Sequence, residues 1–355
     1  MTIQENVPLA PLTTFNIGGS ARYFMRAKNV ADVEEALQFA ASKGIPFFVL
    51  GGGSNILVAD EGFAGLVVQI ESFDREYTND EERVLVTAGA GVIWDELARE
   101  TVEKDLAGLE CMSGVPGTVG GAIVENIGCY GAQVSDTFAN ALVLDTQNLT
   151  QGVRAFTKEE CMFSYHGSIF NKNPGRYIIF NASFTLVPHG KPQVNYTDHR
   201  FAFVTQDEPS LASVRESILT IREQKGVSQG AFKSAGSFFS TLYLGVAEYK
   251  ELERRARALN PELESRLRPW AWEQSDGSYK VAAGFLLEFT EYSKGYVRGG
   301  VGVSPKHQLS LINVGGARAR EVADLAHDMQ TAVEQIFSIH LEREVEYVGA
   351  VEKEK

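Results

Sequence analysis

The chain has 355 residues, 33 Lys and Arg against 46 Asp and Glu for a formal net charge of −13, 44% apolar residues and three cysteines. At about 100–200 residues per domain this length implies two or three domains with a sizeable core, and it excludes a mostly disordered chain; the negative charge disfavours broad contact with nucleic-acid phosphates or an anionic membrane. Cys111, Cys129 and Cys161 show no CxxC spacing, the N-terminus lacks a basic segment followed by an apolar run, and no apolar stretch approaches the roughly 18 residues of a membrane span, so the expectation is a soluble cytoplasmic protein with no zinc site, disulfide framework, nucleic-acid partner or membrane partner.

Residues 30–43 place Val30, Val33, Leu37, Ala40 and Ala41 on one helical face, with Asn29 as N-cap and Gly44 as stop. The apolar run at 46–50, the glycine turn 51–55 and the apolar run at 56–58 predict strand, turn, strand. Further strands are expected at about 65–70 and 83–88, then a helix over about 92–104 carrying Val92, Leu97, Ala98 and Val102. From 113 to 131 glycines stand at 114, 117, 120, 121, 128 and 131. That density predicts backbone that turns tightly or approaches something closely, rather than a regular element. Strands follow at 140–145 and 177–186, a helix at 211–224, a charged helix near 246–258 and a loop at 265–278. Strands at 280–287 and 308–313 precede a helix over about 318–337, with Val322, Leu325, Ala326, Met329, Val333 and Phe337 inward, and a last strand near 343–348. The pattern is mixed α and β, without repeats.

Several segments carry candidate chemistry, each with a plainer alternative. The amides of Gly51-Gly52-Gly53-Ser54-Asn55 can form a nest for a pyrophosphate, or the segment is an ordinary turn. It is not GxGxxG, and GxxxxGK[ST] is absent from the sequence, so the usual signatures of Rossmann and Walker sites are missing. The second glycine-rich stretch at 113–131 favours a large phosphate-bearing cofactor lying across two loops. Ser237, between small residues and two phenylalanines, is either a proton donor or a loop serine before a buried aromatic pair. No GxSxG elbow surrounds it. Arg222 and Lys225 share a helix face and either clamp an anion or form a solvated basic surface. Glu342 and Glu344 alternate along the last expected strand, as an acid–base pair or as solvent-facing carboxylates. His166, in Tyr165-His166, is a general acid, an anion partner or an unremarkable loop histidine.

In combination and in order, Leu12-Thr-Thr-Phe-Asn-Ile-Gly-Gly19, Val49-Leu-Gly-Gly-Gly-Ser-Asn-Ile-Leu-Val58, Thr87-Ala-Gly-Ala-Gly91, Ser113-Gly-Val-Pro-Gly-Thr-Val-Gly-Gly121, Asn126-Ile-Gly-Cys-Tyr-Gly131, Ala235-Gly-Ser-Phe-Phe239, Gly299-Gly-Val-Gly-Val303 and Leu341-Glu-Arg-Glu-Val345 resemble the UDP-N-acetylenolpyruvoylglucosamine reductases. The resemblance implies an α+β chain with an FAD-binding fold of the vanillyl-alcohol-oxidase (PCMH) type in two subdomains, plus a C-terminal α+β substrate-binding domain. The expected divisions are 1–75 completed by 338–355, then 76–226, then 227–337. It also implies bound FAD, NADPH as co-substrate, UDP-N-acetylglucosamine enolpyruvate as substrate, UDP-N-acetylmuramate for peptidoglycan as product, and a monomer. On this resemblance Gly51, Gly52, Gly53, Ser54, Asn55, Ser113, Pro116, Gly117 and Gly121 cradle the FAD pyrophosphate, while Asn126 and Gly128 line the flavin. Ser237 supplies the proton that completes the reduction, and Glu344 sits beside the substrate carboxylate. Tyr165, Tyr196, Arg222, Lys225 and Thr241 bind substrate, with Tyr196 and Lys225 on the diphosphate. No metal is implied.

The chain departs from the family pattern at named positions. Tyr165-His166 stands where the family has Tyr-Arg, a guanidinium at the developing enolate. Arginine is permanently charged, whereas histidine has a reference pKa of about 6.5, so activity is expected to fall as pH rises through the histidine pKa. Ser240-Thr-Leu242 replaces Lys-Asn-Pro, Gly-Val-Ser-Gln replaces Leu-Pro-Asp-Pro after Lys225, and Glu125 replaces the usual Gln beside Asn126. These motifs also fit a flavin enzyme with another substrate, or a flavin-binding relative whose catalysis has decayed.

Overall fold

The computed structural model describes residues 2–80, 82–192 and 208–351. By chain contacts it divides into two units, the first of 1–7, 20–53 and 63–231, the second of 8–19, 54–62 and 232–355.

In the first unit, strand Ser20–Ala27 and strand Phe47–Leu50 lie parallel on either side of Phe63–Ile70, with Gln4–Pro8 on the outer edge. The connecting helix Val30–Lys43 forms as its sequence predicts. Asn29 accepts from the Asp32 amide at 3.0 Å, Gly44 closes the helix at φ 60°, and Val33, Ala36, Leu37 and Ala40 are buried. A second, antiparallel sheet runs in the order Val153–Thr157, Phe138–Asp145, Tyr177–Pro188, Arg83–Gly89, Arg75–Asp80. Against it packs helix Trp94–Glu103, whose Trp94 is fully buried, stands edge-on to Phe184 at 5.8 Å and donates Nε1 to the Met112 carbonyl at 3.0 Å. Burying an indole with its N–H satisfied fixes the start of the 113–131 segment to this core.

That segment is not free of regular structure, contrary to expectation. Val119–Val124 is a short helix capped by the Thr118 hydroxyl. Within this helix Gly120 serves close packing: a Cβ there would lie 3.0 Å from the Ala90 side chain.

In the second unit Ile56–Val58 pairs in parallel with Glu346–Val348, and the long helix Ala319–Phe337 buries each of the six residues expected inward. Two three-stranded antiparallel sheets join Leu242–Leu244, Tyr279–Val281 and Ala271–Glu273, and Val297–Arg298, Val301–Val303 and Leu311–Asn313. Three expectations are corrected here. The loop expected at 265–278 contains the end of helix Pro261–Leu267 and strand Ala271–Glu273. The strand expected at 280–287 ends at Val281 and gives way to helix Ala283–Leu287, because a short apolar run has no period that separates strand from buried helix. The last strand begins at Glu346, so Glu342 and Glu344 precede it.

Candidate active site

The two glycine-rich segments of the first unit meet backbone to backbone. A Cβ on Gly52 would fall 2.6 Å from Gly117 Cα, and one on Gly51 would fall 3.0 Å from Thr118 Oγ1. Gly53 (φ 60°) and Gly117 (φ 111°) take backbone conformations that L side chains rarely adopt. The result is a close junction of two main-chain segments, whose amides are the chemistry that suits a pyrophosphate. A Cβ on Gly121 would meet only Thr118 Oγ1, at 3.8 Å, so the protein leaves room over that residue. Ser113 is turned away from such a role: its side chain is fully buried and its hydroxyl donates to the Glu110 carbonyl at 2.6 Å. Pro116 and Gly128 are half-buried beside this surface and the following hairpin.

Asn126 does something the sequence did not announce. It is 2% exposed, sits at φ 41°, accepts the Ser135 amide at 3.0 Å on Oδ1 and donates Nδ2 to the Ser164 carbonyl at 2.8 Å. It thereby anchors the tight turn Ser164–Gly167, closed by two backbone bonds of 2.9 and 3.2 Å. Tyr165 and His166 form the tip, with His166 left-handed at φ 45° and the two rings edge-on at 4.4 Å. Tyr165 is exposed and His166 half-buried.

Helix Leu211–Gln224 brings up the cations. Arg222 is 8% exposed, which rejects the solvated-surface alternative for it, and donates Nη2 to the Val227 carbonyl at 3.0 Å. Its Nε is buried and makes no hydrogen bond, and it lies against Gly114, where a Cβ would come within 3.0 Å of it. Lys225 is half-buried, with Nζ 5.5 Å from the Tyr130 ring centroid. Tyr130 (φ 53°) and Gly131 (φ 86°) form the two-residue turn of a small hairpin in which both residues are left-handed. Burial pushes the neighbouring Cys129 thiol up to about 11 against the pull of the Arg222 and Lys225 charges, so it is a poor nucleophile at neutral pH. Two turns back from Arg222, Arg215 grips Asp95 in a bidentate pair at 2.5 and 2.9 Å, and the same carboxylate accepts the Gly114 amide at 2.6 Å. This tie between helix and glycine segment spans 120 residues of sequence and left no local signal.

In the second unit, Ser237 is half-buried directly before Phe238 and Phe239, which are 0% and 1% exposed. The segment is held on two sides: Ser237 bridges Ser310 and the Phe238 amide donates to Leu309, while the Glu344 amide donates to the Phe238 carbonyl at 3.0 Å and the Ser240 amide to Glu342 at 2.9 Å. Ser237 and Glu344 are thus brought onto adjacent backbone segments, and Glu344 is half-buried while Glu342 is exposed. Asn55 braces the same segment, donating Nδ2 to the Glu344 carbonyl at 3.4 Å and accepting the Glu346 amide at 3.0 Å. Ser54 and Thr241 are half-buried in this unit. Tyr196 lies outside the described residues. Among the described residues there is no cluster of three or more His, Cys, Asp and Glu suited to a metal ion, and no helix is long and apolar enough to cross a membrane.

Residues 21–150 match the family model of an FAD binding domain, and residues 228–348 match that of the UDP-N-acetylenolpyruvoylglucosamine reductase C-terminal domain. The UDP-N-acetylenolpyruvoylglucosamine reductase of Thermobifida fusca is 37% identical, with 97% of this chain and 98% of that protein aligned. The reductase of the same name from Pseudomonas aeruginosa PAO1 is 35% identical over 97% of this chain and 98% of its own. Among solved structures, UDP-N-acetylenolpyruvylglucosamine reductase from Thermus caldophilus superposes with a TM-score of 0.65 at 24% identity, covering 98% of this chain and all of that one. That superposition agrees with the α+β architecture expected from the sequence.

Proposed function

The chain belongs to the UDP-N-acetylenolpyruvoylglucosamine reductase family, and from that premise we propose that it reduces UDP-N-acetylglucosamine enolpyruvate to UDP-N-acetylmuramate for peptidoglycan, with FAD bound and NADPH as co-substrate. The observation that carries the reading is the contact between Gly51-Gly52 and Gly117-Thr118, inside the region that matches an FAD binding domain. Two glycine segments packed main chain to main chain, with room left over Gly121, fit a dinucleotide pyrophosphate. When bound, FAD supplies the two-electron relay between nicotinamide and the enolpyruvyl double bond.

The protein's own residues then have separate tasks. Gly51–Asn55, Pro116, Gly117 and Gly121 hold the pyrophosphate, and Gly128 borders the flavin. Lys225, Arg222 and Tyr196 hold the substrate diphosphate, with Tyr165 and Thr241 as further contacts. His166 places positive charge by the substrate carboxylate, where negative charge develops as the double bond is reduced and a fixed cation is worth most. Glu344 polarises the same carboxylate, and the Ser237 hydroxyl gives its proton to the substrate carbon. The three-part division at 1–75 with 338–355, 76–226 and 227–337, a monomeric state and a cytoplasmic location complete the proposal.

The test is anaerobic reduction of the purified flavoprotein by NADPH, followed by UDP-N-acetylglucosamine enolpyruvate, with flavin absorbance read by stopped flow. Rapid reoxidation is expected. Flavin that is reduced but stays reduced would sink the substrate while leaving a flavin reductase, and failure to bind FAD would overturn the reading as a whole.

A further inference from the structure

The turn carrying His166 is tied to a carboxylate through one shared amide. Asn171, on the short helix Ile169–Lys172, donates Nδ2 to the His166 carbonyl at 3.3 Å and to Oε2 of Glu125 at 3.4 Å. Glu125 is the C-cap of helix Val119–Val124 and the neighbour of Asn126, which holds the other side of the turn at Ser164. Two consecutive residues therefore set the position of the histidine, and the first of them brings an acid. Glu125 and His166 are both half-buried, so attraction between their charged forms is stronger than on an open surface.

Other ionisable groups around the turn are spoken for or distant in effect. Tyr165 is the edge-on neighbour in the turn itself. Lys172, beyond Asn171, is exposed and screened by water. Glu160, on the stretch leading to the turn, pairs with Arg154 at 2.5 Å and caps the Thr157 amide; Glu159, beside it, is exposed. Asp136, on the element after Asn126, accepts from the Gln133 amide at 2.9 Å.

We propose that Glu125 and His166 form a carboxylate–imidazolium pair, in which Glu125 is a positioning residue that keeps His166 cationic, so that this chain retains a lasting positive charge without an arginine. The inference rests on the proposed role of His166 at the substrate carboxylate. Its two departures from the family pattern then belong together: a titratable cation is introduced with the acid that holds its proton.

The test is a pH titration of the holoenzyme labelled with 15N-histidine, with the His166 signal assigned by its loss in His166→Asn, alongside the pH profile of kcat/KM. Glu125→Gln keeps an acceptor for Asn171 but removes the charge; the His166 midpoint is expected to fall by about one pH unit, with the alkaline limb of kcat/KM following it. Glu125→Asp, which keeps the charge, is expected to recover most of the shift. Equal midpoints in the parent and Glu125→Gln would overturn the pair. A midpoint that falls while the kcat/KM profile stays put would uphold the pair and overturn the role of His166 at the substrate.

Discussion

Gly52 and Gly117 are in contact through their backbones, at a spacing where a single added carbon on Gly52 would sit 2.6 Å from Gly117 Cα. Gly52→Ala must therefore move backbone, and overpacking of that kind costs about 1–3 kcal/mol. The expected result is a lower melting temperature together with loss of flavin on purification, read from the ratio of flavin to protein absorbance. Gly121→Ala separates the two effects. Its Cβ meets nothing in the protein closer than 3.8 Å and it lies in a helix, where alanine is favoured over glycine by about 1 kcal/mol. The apoprotein is expected to be at least as stable as the parent, while FAD affinity falls roughly tenfold or more, about 1.4 kcal/mol. Unchanged FAD affinity would show that the pyrophosphate does not approach this residue.

Asp95 and Arg215 give a pH-dependent contribution to stability. Burial alone raises the Asp95 carboxyl, but the Arg215 hydrogen bonds, the Gly114 amide and the charges of Arg215 and Arg222 together outweigh it and hold the group below the usual carboxylate range. Because the folded form binds its proton more weakly than the unfolded one, this contribution is complete above the unfolded pKa and is lost as pH falls through the lower folded value. Asp95→Asn is expected to cost about 2 kcal/mol at pH 7, with the gap to the parent narrowing below about pH 4. Denaturant melts at pH 7 and pH 3.5 measure both; a gap independent of pH would rule the ion pair out as its source.

Ser237→Ala tests the proton donor. NADPH is expected to reduce the bound flavin at the parental rate, while reoxidation by the enolpyruvyl substrate slows by about 10²–10⁴-fold. Parental reoxidation would remove Ser237 from the chemistry and leave it as part of the segment that Ser310 and Glu344 brace.

Asn126 holds the turn with its side chain and tolerates φ 41° with its backbone. Asn126→Ala loses the hydrogen bonds to Ser135 and Ser164 and a longer one to Gln133 at 3.4 Å, and it adds the strain of a left-handed alanine, for about 2–3 kcal/mol. Asn126→Gly loses the same bonds without the strain and is expected to be about 1 kcal/mol less damaging. Thermal melts of the two variants give the difference directly, and equal losses would show that backbone strain contributes nothing.

What was legible in the chain were features that repeat within a turn or two of helix or strand. The helix Val30–Lys43 with its Asn29 cap and Gly44 stop, and the inward face of Ala319–Phe337, follow from a 3.6-residue period that the sequence writes out. Family motifs likewise lie in short runs, so the flavin-binding character and the reaction class could be stated before any coordinates. Glycine density and a short apolar run do not encode whether the backbone coils or extends, so helices Val119–Val124 and Ala283–Leu287 have no signature in the sequence, whereas the close approaches and turns of 113–131 do.

Local sequence alone is enough for the family and its cofactor: short glycine-rich runs mark a dinucleotide site, and the ordered motifs mark the reductase family. Which residues brace the candidate site becomes visible only in the tertiary structure. Asn126, expected along the flavin, spends both ends of its amide on Ser135 and Ser164. Asp95, Arg215 and Gly114 meet across 120 residues, and Glu125 reaches the peptide of His166 through Asn171. The physical reason is that a hydrogen bond or ion pair depends on separation in space, which the hydrophobic pattern fixes only after the sheets and helices have packed. No local period records a partner forty or a hundred residues away.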